Sequence, residues 1–289
     1  MMIKERRIKM MKKSKYKNIG AYAFLIFFGI FMVFPIVWIF LSTFKSNEEL
    51  FGSIKFWPES FSFDAYVNGW LGNGKITYTD YFMNTFKLVI PVVLFTVMSS
   101  AIIAYGFARF NFPLKKIMFS ILIGTLMLPN AVIIIPRYTL FNKLEWLNSY
   151  LPFWIPALFG CFPFFIYQLI QFFRGLPREL DESAYIDGCG TFKVLVRILI
   201  PLLKPALFSA GLFQFLWTWN DFLNPLIFIN SVKKYPLSLA LRMSLDIGAN
   251  VAWNQVLAMS LLSVLPLIIL FFLAQKFFVE GIATTGLKG

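Results

Sequence analysis

Apolar positions in this chain of 289 residues fall in long, nearly unbroken runs. They show neither the three-to-four spacing of a surface helix nor the alternation of a strand. About 20 mostly apolar residues cross a hydrocarbon core roughly 30 Å thick. Five stretches free of charge meet that length, at 18–44, 88–108, 117–136, 146–173 and 247–275, and Lys45, Arg109, Arg137 and Arg174 close four of them. A sixth, 205–232, is interrupted only by Asp221. One acid within a span costs about 2.5–3.5 kcal/mol on insertion scales, which the surrounding apolar residues offset. The pattern therefore predicts an all-α membrane protein with six transmembrane helices near 18–44, 85–108, 117–136, 148–173, 205–230 and 253–276. Together they make one membrane domain, 18–280, with a basic segment 1–17 before it and a short tail 281–289 after it.

Composition agrees. The chain is 58% hydrophobic and 14% charged, with a mean hydropathy of +0.71. A soluble domain has about 45–50% apolar and roughly 25% charged residues. Its net charge of +13 raises the question of nucleic acid, which the distribution of charge answers. With the N-terminus inside, 18 of the 27 basic residues fall in inner segments and nine in outer ones. The positive-inside rule then puts both termini in the cytoplasm and assigns the excess charge to topology and anionic lipid rather than nucleic acid. The basic start followed by an apolar run resembles a signal peptide, but the run far exceeds the usual 7–15 residues, so it is expected to stay as the first helix. The chain has no histidine and only two cysteines, Cys161 and Cys189. That removes the commonest general base and metal ligand and leaves no disulfide framework or zinc cluster.

Two connections are long. The outer one, 45–84, is rich in aromatics and turn formers and is expected to form a small cap. The other, 174–204 on the cytoplasmic side, carries the clearest local signals. Pro177 suits a first helical turn, Glu179, Asp181 and Glu182 favour a helix N-terminus, and Gly188 marks a stop about three turns on. A short surface helix ending at Asp187-Gly188 follows, with Leu176, Leu180 and Ala184 on one face and a second helix over 192–200. Spacing alone names no partner, and a solvated connector would look the same.

The residues of this loop resemble a known signature. Glu182-Ser183-Ala184, then Asp187-Gly188, Phe192, Ile198, Pro201 and Pro205 are similar to the EAA motif of binding-protein-dependent ABC importer permeases, in the form of the second permease of maltose-type sugar systems. Further blocks resemble that family in the same order: Ala104-Tyr105-Gly106-Phe107-Ala108-Arg109-Phe110 with Phe112-Pro113, then Leu128-Pro129 with Ile135-Pro136, Trp219-Asn220-Asp221-Phe222-Leu223, and the tail from Gly281 to Gly289. Ser183 departs from the usual alanine, a small-for-small exchange that keeps close packing possible.

The resemblance implies a type I ABC importer permease fold in a bacterial or archaeal cell membrane, importing a sugar or oligosaccharide handed over by an extracellular binding protein. It implies that 174–204 forms a coupling helix, with Glu182, Ser183, Ala184, Asp187, Gly188, Phe192 and Pro201 facing a separate ATPase. Two ATPase subunits would bind ATP and magnesium, and a second, related permease would complete the path. This chain would be no enzyme and hold no cofactor, in keeping with its lack of a Gly-x-x-x-x-Gly-Lys-Ser/Thr phosphate loop. Trp217, Trp219, Asn220 and Asp221 offer the aromatic faces, amide and carboxylate that bind sugars. Since the motif is common to permeases for different sugars, packing or gating is the competing role. A stand-alone secondary transporter or channel is the alternative function, but it would call for ionisable groups in several spans and leave the loop helix without a task. An intramembrane hydrolase lacks a histidine or a facing acid pair.

Overall fold

A computed structural model describes residues 2–72, 75–245 and 251–286, with side chains from Ile19 to Gln275. The basic side chains of 1–17 and those of the tail motif lie outside the described residues. All regular structure among the described residues is helical. Four helices are long and apolar enough to span a membrane, and two sharply bent pairs raise the number to six if each pair is one span. The chain divides into two compact units, 1–70 with 247–262, and 71–246 with 263–289.

The first unit contains α1 (Met2–Ser42), α2 (Asn47–Gly52) and the start of α3 (Asp64–Leu71). Where α1 ends, the ring of Phe44 meets Phe40, Phe61, Phe63 and Tyr66 at centroid distances of 5.2–5.9 Å. Asn47 then clamps the chain at the start of the last helix, its amide donating to the Val251 carbonyl and its oxygen accepting from the Trp253 N–H. Gly69 lets α3 approach closely, since a Cβ there would stand 3.1 Å from Cε of Met259.

The second unit is organised around α4 (Tyr78–Arg109), whose Thr77 and Asp80 form a capping box at its start. The predicted third span, 117–136, is two helices rather than one. α5 (Lys115–Leu126) and α6 (Asn130–Lys143) meet at 106°, because Pro129 cannot donate to the ladder and its ring disfavours helix at Leu128. The fourth, Leu151–Gly175, still counts as one span, with a short interruption at 159–162 between α7 (Leu151–Leu158) and α8 (Pro163–Gly175). α4 packs against α7 and α8, and also against α12 (Lys204–Trp219), which follows a 79° bend at Leu203. α12 stops at Trp219. Residues 220–222 are non-helical and α13 (Leu223–Phe228) begins after them, so the fifth span predicted over 205–230 is interrupted at Asp221. α14 (Leu237–Met243) and α15 (Trp253–Gly286) complete the chain.

Each break supplies its own hydrogen bonds. At Gly160 (φ +71°), Gly160 N–H donates to Ala157 and Cys161 N–H to Pro156, a left-handed helix stop. Ser99 of α4 adds a bond of 2.7 Å to the Ala157 carbonyl. The same turn follows α6, where Glu145 (φ +58°) takes the position glycine usually holds. On the connection after α13, Asn148 accepts from the N–H groups of Asn230 and Ser231, while Asn84 of α4 donates to the carbonyls of Lys233 and Tyr235.

Gly160 is needed on two grounds: its positive φ, and a Cβ that would overlap Cδ1 of Ile103. Gly160→Ala is expected to cost at least about 2 kcal/mol, strain plus overpacking. Gly188→Ala, also at positive φ but facing open space, is expected to cost only the strain, about 1–2 kcal/mol. Melting of the two variants in detergent, with Gly160→Ala the lower, checks this.

Candidate functional site

The chain leaves α8 at Leu176, turns at Pro177, and forms α9 (Glu179–Ile186). Three acids, Glu179, Asp181 and Glu182, occupy its first turn, where the helix dipole favours them. It ends in a complete left-handed stop. Gly188 sits at φ +76°, its N–H donates to Tyr185, and the Cys189 N–H reaches back to Ala184. A second helical stretch runs from α10 (Thr191–Val194) through a π turn (Leu195–Leu199) to α11 (Ile200–Leu202).

The inner face of α9 is Asp181 and Ala184, both buried, with Leu180 half-buried. Leu176, expected on the same helix face, precedes the helix as the cap of α8. Ala184 joins the apolar cluster containing Tyr105, Ala108 and Phe173. The remaining predicted coupling residues point outward: Glu182, Ser183, Asp187, Gly188 and Pro201 are exposed, and Phe192 is 72% exposed. The Ser183 hydroxyl donates to the Glu179 carbonyl at 2.8 Å, so the departure from alanine is absorbed within its own helix turn. Ile186 and Tyr185 extend Phe192 into an exposed apolar patch beside the glycine turn.

What holds this segment is the last turn of α4, which sequence reasoning did not connect to it. Arg109 approaches Asp181 with Nε 3.0 Å from Oδ2, and the two side chains are only 7% and 10% exposed. The approach is off the hydrogen-bond direction, so it is a charge contact rather than a directed bond. The Arg109 guanidinium also donates to the Leu176 carbonyl at 3.1 Å, and one turn earlier the Tyr105 hydroxyl donates to the Thr191 carbonyl at 3.2 Å. One helix face thus grips the loop before α9, α9 itself, and the start of α10. A cavity of about 210 Å³ lies beside the ion pair, lined by Arg109, Phe110, Arg178, Asp181, Glu182 and Tyr185. The available signal was the spacing of Asp181 and Ala184, three apart on one face of a helix.

The second candidate group does not form one surface. Trp217 is half-exposed and rests on Phe164 and Phe165 at 5.0 and 5.1 Å. Trp219 is buried between Phe86 and Phe215 and donates its indole N–H to the Ser263 carbonyl at 3.1 Å. Asn220 donates to the Leu216 carbonyl of its own helix. Asp221 accepts from the N–H and side-chain amide of Asn224 at 3.2 and 2.8 Å, capping α13 across the break. Arg137, expected in an outer loop, lies on α6 over the rings of Phe141 and Phe228 at 5.7 and 5.5 Å and interacts electrostatically with Asp221.

Residues 97–284 match the family model described as a binding-protein-dependent transport system inner membrane component. The chain is similar to a probable ABC transporter permease protein, YurM, of Bacillus subtilis (strain 168), with 33% identity covering 93% of this chain and 88% of the relative. It is 31% identical to the arabinooligosaccharides transport system permease protein AraQ of the same organism, covering 97% and 100%. It is 28% identical to the trehalose/maltose transport system permease protein MalG of Thermococcus litoralis, covering 96% and 100%. Among solved structures, a bacterial ABC transporter involved in the import of the acidic polysaccharide alginate has a chain of similar fold, with a TM-score of 0.80, 22% identity, and coverage of 91% of this chain and 97% of that one.

Removing one member of the Arg109–Asp181 pair strands the other charge in the interior. Arg109→Met or Asp181→Leu alone is expected to cost about 3 kcal/mol, and the double variant less than either single one. Melting and limited proteolysis within 174–204 for the three variants check the ordering. At the helix break, Asp221→Ala is expected to cost about 1 kcal/mol through the lost cap and Asp221→Asn much less, read in the same melting assay.

Proposed function

The chain belongs to the binding-protein-dependent transport system inner membrane component family, and from that membership we propose that it is a permease subunit of an ATP-driven importer for a sugar or oligosaccharide. Its similarity to the arabinooligosaccharides permease AraQ and the trehalose/maltose permease MalG supports the carbohydrate class. An extracellular binding protein delivers the solute, a second and related permease shares the path, and two ATPase subunits carry the ATP and magnesium. Both termini lie in the cytoplasm of a cell whose plasma membrane holds the complex.

The observation that carries this reading is the form of the 174–204 segment: an exposed patch of Tyr185, Ile186 and Phe192 around Gly188, fixed from behind to α4. An element that passes motion between chains has to be accessible on one side and rigidly attached on the other. Docking of the ATPase on the patch displaces α9. The buried ion pair and the two carbonyl bonds pass that displacement to α4. Since α4 packs on α7, α8 and α12, its movement rearranges the membrane bundle. Open space at Gly188 leaves room for close approach by a partner backbone, and its positive φ sets the angle between α9 and α10. Asp221, engaged in capping, serves the break in the fifth span, and the half-exposed Trp217 is the member of its group best placed to meet solute.

Purification of the tagged chain from its native membranes in mild detergent is expected to bring down an ATPase and a second permease, identified by mass spectrometry. Recovery of the chain without an ATPase would overturn the reading. Phe192→Asp, which places a charge on the exposed patch without touching the core, is expected to lose the ATPase while keeping the second permease.

A further inference from the structure

The segment after α1 does not run off into water. Lys45, itself buried, donates its ammonium to the carbonyl of Lys55 and so folds the following residues back to the helix end. The next residue, Phe56, stacks on Phe34 of α1 with ring centroids 5.7 Å apart and planes 19° from parallel. Phe34 precedes the last residue of α1, Ser42, by two turns, about 12 Å along the axis at 1.5 Å per residue. The segment therefore descends beside the spanning helix.

The depth of that point follows from length. The apolar part of α1, Ile19–Ser42, has 24 residues, about 36 Å of helix against about 30 Å of hydrocarbon. Even if all the surplus projects at this end, the hydrocarbon edge falls near Trp38, and Phe34 lies about 6 Å inside it. Tilt of α1 only moves the edge toward Ser42 and Phe34 deeper. Around Phe56 the chain exposes apolar side chains that water alone would leave uncovered: Ile54 is fully exposed, Trp57 is 66% exposed, and Phe51, Phe61 and Phe63 are exposed as well. The backbone over 53–63 is non-helical. Unpaired peptide groups are not tolerated in hydrocarbon, so the backbone has to stay at headgroup level while the rings reach down. The exposed Lys55–Glu59 pair, 2.6 Å apart, suits that level, since a lysine stem lies along apolar surface with its charge in the polar layer.

We propose that residues 51–63 form an interfacial anchor that seats the C-terminal end of α1 in the boundary between lipid headgroups and acyl chains, with Ile54, Phe56 and Trp57 as its inserted residues. The anchor rests on unit-internal contacts and is independent of the transport reading and of which side of the membrane it faces. Its occupant is the lipid surface, to which the exposed apolar face of α1 is continuous.

The test uses the full chain with Cys161→Ser and Cys189→Ser, carrying Ile54→Cys, Trp57→Cys or, as a reference on exposed α2, Glu48→Cys. Each is spin-labelled and reconstituted in vesicles of phosphatidylethanolamine and phosphatidylglycerol. The ratio of collision with oxygen, which partitions into lipid, to collision with a water-soluble nickel chelate is expected to be several-fold higher at 54 and 57 than at 48. Nickel access at 54 and 57 equal to that at 48 would overturn the proposal, as would exclusion of both reagents, which would mean that protein covers the segment. Ile54 is fully exposed, so its variant carries the test if Trp57→Cys folds poorly.

Discussion

Hydrocarbon offers no hydrogen-bond partner, so a spanning chain that departs from a straight helix has to satisfy every freed N–H and carbonyl from its own residues. The architecture of this protein follows from that constraint. Its spans break repeatedly, and several breaks carry a local solution: left-handed stops at Glu145 and Gly160, the Ser99 hydroxyl on the Ala157 carbonyl, and the Asp221 carboxylate over the start of α13. Proline alone does not decide where the breaks fall: Pro129 separates α5 from α6, whereas Pro35, Pro91 and Pro266 lie inside continuous helices. Side chains on neighbouring helices decide whether the breaks are affordable.

The same logic explains the treatment of charge. A guanidinium and a carboxylate withdrawn from water lose several kcal/mol of hydration each, and their attraction repays this only with good geometry. Arg109 and Asp181 meet off the ideal line, so the pair is better understood as a positional constraint than as a source of stability. It sets where α9 can sit against the end of α4, and with Tyr105 and the Leu176 carbonyl it ties the loop to that helix. Asp221 is handled differently: its charge is spent on a helix cap and on the field of Arg137, which itself spreads over two aromatic rings. An acid that sequence reasoning marks as a candidate ligand is thus already employed by the fold.

Aromatic residues divide in a comparable way. Of the 36 phenylalanines, Phe107 on α4 and Phe165 and Phe173 on α8 fill the core. Those on α1 face outward, and Phe56 after it folds back onto Phe34. Identical side chains serve as packing in one unit and as lipid-facing surface in the other, because what surrounds a helix, not its composition, determines which of its faces is buried.

The amino-acid sequence by itself determined the membrane character, the all-helical fold and the short exposed helix that ends at Gly188, because each depends on local properties: run length, charge along the chain, and a glycine and acids at helical spacing. It also carried the family, through motifs such as Glu182-Ser183-Ala184 and Asp187-Gly188, which lie within the residues 97–284 that the family model covers. Tertiary structure alone decided the rest. The bend at Pro129 and the stop at Gly160 lay inside runs that read as continuous spans, since a proline within a span is compatible with a mild kink or a full turn and a glycine with helix or left-handed stop until neighbouring helices select one. The pairing of Arg109 with Asp181 and of Asn84 with Lys233 and Tyr235 joins residues far apart in the chain. Nothing in the residues flanking either partner specifies the other, because such contacts exist only once packed helices have brought the two positions together.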